Sequence, residues 1–260
     1  MGHTTSKDGA TIGWEASGAG PALLLVHGTT ADHTRWAGVA PGFESEFTVV
    51  AMDRRGRGGS ADGPEYDLQR EAEDVAAVVE AIGGPVRVVG HSYGAACSLE
   101  AALLTDGITR MVLYEPPIPT GLPMYPPGLP DRIQALIDNG ELEPALELFF
   151  RKVVRMPDEE LATYRTLPAW KVRIQLAPTI PRELAIDQHY EFIPGKYADL
   201  RIPVRLLRGG DSPELFRRAV STLQEALPAA SVAVLPNQQH IAMDLAPELF
   251  VTEVMGFLAE

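Results

Sequence analysis

The 260-residue chain holds a single cysteine, Cys97. One thiol excludes an intramolecular disulfide and any cysteine-pair metal site, and it fits a reducing compartment. Positive charge is also scarce: 22 Lys and Arg against 35 Asp and Glu leave a formal net charge of −13. An acidic chain repels phosphate backbones and anionic bilayers, so no nucleic acid and no membrane is expected as a partner. No apolar run approaches the roughly 18 residues that a membrane-spanning helix needs. The opening Met1-Gly-His-Thr-Thr-Ser-Lys lacks the basic segment and apolar stretch of a signal peptide. Gly2 with Ser6 loosely fits an N-myristoylation pattern, but that motif is short and often fortuitous. The expectation is a cytoplasmic protein whose partner is a small-molecule substrate. There is no HExxH and no Cys/His cluster, and no G-x-G-x-x-G opens a helix after the first long strand, so neither metal nor cofactor is expected. Oligomeric state is not legible.

What is present is an alternation of short apolar runs with segments of helical period. Leu23–His27, Thr48–Met52, Val86–Val89, Met111–Tyr114, Val204–Leu207 and Ser231–Leu235 read as strands, apolar enough for a parallel sheet covered on both faces. Within Leu68–Ile82, Val75, Val78, Val79 and Ile82 fall at i, i+3, i+4 and i+7, one buried helical face. Phe250, Val254, Phe257 and Leu258 repeat the pattern at the end of the chain. This alternation predicts an α/β fold with an open, doubly wound sheet. Thr11–Ser17, with Lys7-Asp-Gly9 before it, reads as an antiparallel hairpin leading in. Composition shifts at residue 116: Pro116 to Pro130 contains seven prolines, which no helix interior or central strand tolerates. Beyond it, Asp131–Asn139, Glu143–Arg155, Asp158–Leu167 and Arg182–His189 read as helices. The predicted organisation is therefore a core of residues 1–115 and 199–260 with a helical insertion at 116–198.

The sharpest chemical signal is Gly90-His91-Ser92-Tyr93-Gly94, lying between a predicted strand and a helical stretch. In that context G-x-S-x-G is a tight turn that lifts the serine hydroxyl clear of the sheet, with glycines where strand and helix pack closely. A nucleophilic serine needs a base oriented by an acid. Of the six histidines, His240 lies just past the last apolar strand and before the final helix, where sites gather in open α/β sheets. Asp211, in Arg208-Gly-Gly-Asp-Ser-Pro, ends the preceding strand and is the favoured acid. Glu115, at the tip of Met111–Tyr114, is its rival. Stabilising the oxyanion takes two backbone donors. The favoured pair is the N–H of Tyr93, next after the nucleophile, and that of Thr29, in the His27-Gly-Thr-Thr loop.

These residues, in this order, resemble the α/β-hydrolase superfamily. The resemblance spans most of the chain. It rests on the His27-Gly28 turn, on Asp53-Arg-Arg-Gly-Arg-Gly-Gly-Ser60 matching D-x-R-G-x-G-x-S, on the turn at 90–94, on Gly210-Asp211, and on Leu235-Pro…His240 followed by Pro247-Glu-Leu-Phe250. It implies a mostly parallel eight-stranded sheet flanked by helices, with a helical lid inserted after strand 6. It also implies Ser92 as nucleophile, His240 as base, Asp211 as acid, and Thr29 and Tyr93 as the oxyanion hole. His27 and Asp53 read as structural. Asn237-Gln-Gln239 departs from the Gly-x-Gly that often precedes the histidine.

A serine at the turn argues against the dehalogenases and most epoxide hydrolases of this fold, which use Asp. The expected activity is a serine esterase acting on a small or medium apolar ester, lactone or thioester through an acyl-enzyme. The alternatives are a carbon–carbon bond hydrolase, a non-hydrolytic cyclase, lyase or perhydrolase on the same scaffold, and a ligand-binding receptor. Glu115, Phe149, Tyr164 and Trp170 are the candidate substrate contacts.

Overall fold

A computed structural model describes residues 1–186 and 190–259. Eight strands form one sheet: β1 (Gly2–Thr5), β2 (Thr11–Gly18), β3 (Ala22–Val26), β4 (Thr48–Met52), β5 (Val86–His91), β6 (Ile108–Tyr114), β7 (Val204–Gly209) and β8 (Ala230–Leu235). Their order across the sheet is β1-β2-β4-β3-β5-β6-β7-β8. The leading hairpin β1–β2 and the β2–β4 pair are antiparallel, and every other pair is parallel. The mostly parallel eight-stranded sheet expected from the sequence is thus present. The chain runs outward from β3 to β4 and then back to β5 on the other side. The crevice at the carboxyl ends of β3 and β5 is therefore the switch point where open α/β sheets bind ligands.

The helices are α1 (Ala40–Phe43), α2 (Leu68–Ile82), α3 (Tyr93–Ala101), α4 (Leu129–Asp138), α5 (Leu142–Phe149), α6 (Asp158–Tyr164), α7 (Pro168–Gln175), α8 (Ile180–Ile186), α9 (Glu214–Ala226), α10 (Ala242–Leu245) and α11 (Pro247–Leu258). Helix α2 matches its predicted span. Asp67 caps it by accepting the Arg70 N–H, and Gly83 ends it at φ 73°. Helix α8 covers the first part of the predicted Arg182–His189 segment, whose last three residues lie outside the described ones. No helix among the described residues is long and apolar enough to cross a membrane.

Successive strand residues point to opposite faces, and this divides the core. Leu24, Val26, Val50, Val88 and Leu206 pack beneath α2, α3 and α9. Leu23, Leu25, Val49, Val89 and Leu207 pack on the other face with Phe43, Phe250, Val254 and Phe257 of α1 and α11. The near-continuous apolar strands follow from both faces being covered. Helices α4 to α8, all between β6 and β7, bury a third cluster of their own. It includes Ile133, Leu146, Phe150, Tyr164 and Trp170, with Ile241 of the core as its contact below.

Candidate active site

Strand β5 ends at His91, and α3 starts at Tyr93. Ser92 makes the whole turn between them, at φ 53° and ψ −125°. That conformation costs a non-glycine residue on the order of 1–3 kcal/mol. It lifts the side chain off both elements, and the Ser92 N–H donates to the Tyr114 carbonyl at 2.8 Å. Gly94 makes the turn possible: a Cβ there would lie 2.3 Å from the His27 carbonyl oxygen and 2.4 Å from that of Val26. Gly94→Ala is therefore expected to cost about 3 kcal/mol by forcing backbone apart, read as a lower urea midpoint at unchanged slope. Gly28 is also tight, since a Cβ there would meet Ser92 Cβ at 2.9 Å. The loop after β3 thus lies directly against the serine.

Ser92 and His240 line one cavity, together with Thr29, Tyr93, Phe149 and Phe216. The His240 ring stacks on Phe216 with centroids 4.4 Å apart. Its Nδ1 lies 2.7 Å from Oε2 of Glu115. Both side chains are buried. The other carboxylate oxygen, Oε1, accepts the Gly209 N–H at 2.8 Å and a short hydrogen bond from the Ser212 hydroxyl.

This arrangement corrects the expectation for the acid. The carboxylate on the histidine belongs to Glu115, at the tip of β6. Asp211 is exposed, and its backbone N–H donates to the Gln238 carbonyl. The two strands are neighbours, with Tyr114 paired to Leu207, so their tips stand side by side. The turn expected to carry the acid instead supplies, through Gly209 and Ser212, donors to the Glu115 carboxylate at the tip of β6. Glu115 itself sits at φ 47°, which directs its side chain back over the sheet end.

The two expected oxyanion residues both line the cavity. The Tyr93 N–H is the first of α3, among those a helix leaves without an internal acceptor. Thr29 is fixed from above by α7: Arg173 Nη1 donates to the Thr29 carbonyl at 2.9 Å and to the Thr30 hydroxyl at 2.8 Å. Of the four candidate substrate contacts, Phe149 lines the cavity. Tyr164 and Trp170 instead pack around Phe150 inside the inserted helices, and Glu115 is committed to His240.

The other histidines near the turn are structural. His27 Nε2 accepts the Arg54 N–H at 3.1 Å, and its Nδ1 donates to the Gly28 carbonyl at 2.9 Å. Burial, helped by the Arg54 charge, holds it well below the ordinary imidazole range. His91 Nε2 donates to the His240 carbonyl at 2.8 Å and braces the catalytic loop. Asp32, His33 and Asp53 form the one grouping among the described residues with ligand atoms close enough for a cation. Their oxygens are already used. Asp53 takes the His33 and Gly59 N–H groups at 2.7 and 2.8 Å, and Asp32 caps Thr34. This fits the structural reading of Asp53.

Three groups near the cavity had no role that the sequence singled out: Glu160 is one of several acids on the inserted helices, at 143, 147, 159 and 160, of a kind that helix surfaces ordinarily carry. Glu160 of α6 accepts the Gln239 side-chain amide at 2.9 Å, one residue before His240. Burial, with the Glu115 charge second, pushes the Glu160 carboxyl up to about 7. A raised carboxyl means that the native state keeps a proton the unfolded chain has lost, so its contribution to stability falls as pH rises from the ordinary carboxyl range through about 7. Glu160→Gln removes that component. Its Tm relative to wild type should therefore be higher at about pH 8 than at about pH 5; an equal difference at both would contradict the assignment. Behind Tyr93 lie the other two, Arg54 and Arg57, fully buried. The Arg54 guanidinium covers the Tyr93 ring at 4.4 Å and pairs with Glu71 at 2.6 Å. Arg57 pairs with Glu183, a cavity residue from α8. Burial, with Arg54 second, lowers Arg57 to about 10, so it stays charged at neutral pH. The Arg-Arg-Gly-Arg run was the only signal for this cluster.

The Alpha/beta hydrolase family matches residues 23–253, and the chain belongs to that family. Among curated proteins it is 30% identical over 232 residues to an N-formylmaleamate deformylase of Pseudomonas putida, covering 86% of this chain and 83% of that protein. It is 26% identical to a 2-(acetamidomethylene)succinate hydrolase of Mesorhizobium japonicum, over 95% of this chain and 91% of the other. Among solved structures, an alpha/beta hydrolase from Sphaerobacter thermophilus superposes with a TM-score of 0.86 at 34% identity, covering 99% of this chain and all of that one.

Proposed function

We propose that the chain is a serine hydrolase of small or medium apolar esters, lactones or thioesters, with Ser92 as nucleophile, His240 as base and Glu115 as the orienting acid. The observation that carries this reading is the 2.7 Å contact from Glu115 to His240 Nδ1, in a cavity that also holds Ser92 on its strained turn. Held at Nδ1, the imidazole leaves Nε2 free to take the Ser92 proton as Oγ attacks the carbonyl carbon. The resulting oxyanion is met by the N–H groups of Thr29 and Tyr93. Collapse expels the alcohol or thiol, which takes the proton back from His240. Water, deprotonated by the same nitrogen, then releases the acid and restores Ser92. The inserted helices act as the lid, closing the cavity from above with Phe149, Val153 and Leu184.

The two curated relatives are named for a deformylation and for a substituted succinate, and both names denote carboxylate-bearing compounds. They support N-acyl or carbon–carbon bond hydrolysis as the second reading. The apolar wall favours the ester reading, because no Lys or Arg is among the described residues lining the cavity. A panel of alkyl esters of increasing acyl length, with Ser92→Ala as control, tests it. Ser92-dependent release of acid is the expected result. Ester turnover that survives the substitution would show that Ser92 is not the nucleophile, and absence of turnover on every ester would favour the second reading or a ligand-binding receptor.

A further inference from the structure

Glu183 is 3% exposed, yet it forms part of the cavity wall. Its carboxylate pairs with Arg57 and reaches Nη2 of Arg54 at 3.4 Å. Neither arginine lines the cavity. Arg54 and Arg57 also share Glu71, at 2.6 and 3.8 Å. The cluster therefore holds two cations against two anions and is neutral overall. Arg57 Nε and Nη2 and Arg54 Nη1 are buried without a hydrogen-bond partner, as are both carboxylate oxygens of Glu183. Stranded charged donors of this kind are costly and will take an anion that can reach them.

We propose that Glu183 sets acyl selectivity: it stands between the cavity and a buried arginine pair, and so excludes substrates whose acyl group carries a carboxylate. An acyl carboxylate entering the pocket meets Glu183, an apolar wall and no exposed cation. Glu183 cancels the arginine charge, so the incoming carboxylate loses its hydration with no net positive charge to replace it. Neutralising Glu183 leaves the cluster with one excess positive charge, behind the cavity wall that Glu183 forms. The same side chain that keeps the site apolar in effect thus hides a carboxylate subsite behind it. The inference rests on the serine hydrolase reading for its kinetic arm and is independent of it in its binding arm.

The kinetic arm compares methyl pentanoate with the monomethyl ester of pentanedioate, identical except for the terminal carboxylate. Wild type is expected to favour the neutral ester in kcat/KM by about 100-fold or more, the scale of burying a carboxylate with no partner. Glu183→Gln, nearly isosteric, should shrink that ratio by about tenfold or more, chiefly through the KM of the charged ester. The double variant Arg57→Leu with Glu183→Leu removes both charges of the pair and should keep a ratio close to wild type. The binding arm needs no turnover: millimolar pentanedioate should raise the Tm of Glu183→Gln and leave that of wild type unchanged. If Glu183→Gln folds, as judged by circular dichroism, and shows neither change, the proposal is overturned. If it fails to fold, Arg57→Leu decides: it leaves the cluster with one excess negative charge and should raise the ratio above wild type, and a ratio no higher than wild type overturns the proposal. Equal use of both esters by wild type, or a ratio in the double variant that falls as far as that expected for Glu183→Gln, overturns it. Loss of ester turnover in all proteins, with the pentanedioate effect intact, would sink only the esterase reading.

Discussion

Glu115→Gln is expected to lower kcat on a neutral ester by roughly 10³- to 10⁴-fold with the fold intact, the scale seen when a triad acid becomes an amide. The amide keeps the shape but loses the charge that stabilises the imidazolium. It also presents either an oxygen or an N–H to His240 Nδ1, and the second orientation cannot accept the ring proton. Asp211→Asn should leave kcat within about twofold, as for an exposed side chain away from the reacting atoms. The pair of variants separates two carboxylates that end adjacent strands. A large loss in Asp211→Asn with a small one in Glu115→Gln would show the contact between Glu115 and His240 to be incidental. Ser212→Ala provides a milder check, since Ser212 holds the acid's other oxygen and does not touch the histidine.

The second large effect is at the nucleophile and base. Ser92→Ala and His240→Ala should each reduce ester turnover by roughly 10⁴-fold or more, and the double variant should lose little beyond either alone. Such non-additivity is the signature of groups acting in one step, because the base has no proton to take once the serine is gone. Additive losses would mean that the two act separately. Stability should respond in the opposite sense at one position: Ser92→Gly relieves a φ of 53° that glycine adopts freely, so this inactive variant is expected to match or exceed wild type in Tm.

Most of the scaffold was written locally, in periods and punctuation. The 3.6-residue spacing of Val75, Val78, Val79 and Ile82 located α2, and unbroken apolar strands announced a sheet covered on both sides. The turn at Ser92 was readable because only glycine fits where Gly94 meets the carbonyls of β3 and its loop. Helix α7 was not anticipated. Trp170, Val172 and Ile174 alternate in a strand-like period, whereas the residues buried beneath the helix are Trp170 and Arg173, the latter held by Tyr164 and the Thr29 carbonyl. The acid was misjudged for a related reason. Glu115 and Asp211 each follow an apolar strand, and chain order alone favoured the later one. What decides between them is where Gly209 and Ser212 aim their donors, a fact of three dimensions with no linear trace. Glu183 and its arginines were hidden similarly, since charged residues in a helix and a glycine-rich loop ordinarily face water.

The central claim is that Ser92 is a nucleophile activated through His240 by Glu115. Its most direct test is the rate and position of covalent labelling by a fluorophosphonate, followed by intact-protein mass spectrometry and peptide mapping. One adduct is expected, on the peptide containing Ser92. Its rate should be sharply lower in His240→Ala and Glu115→Gln and unchanged in Asp211→Asn. An adduct on another residue, or labelling of Ser92 that is indifferent to Glu115, would contradict the account.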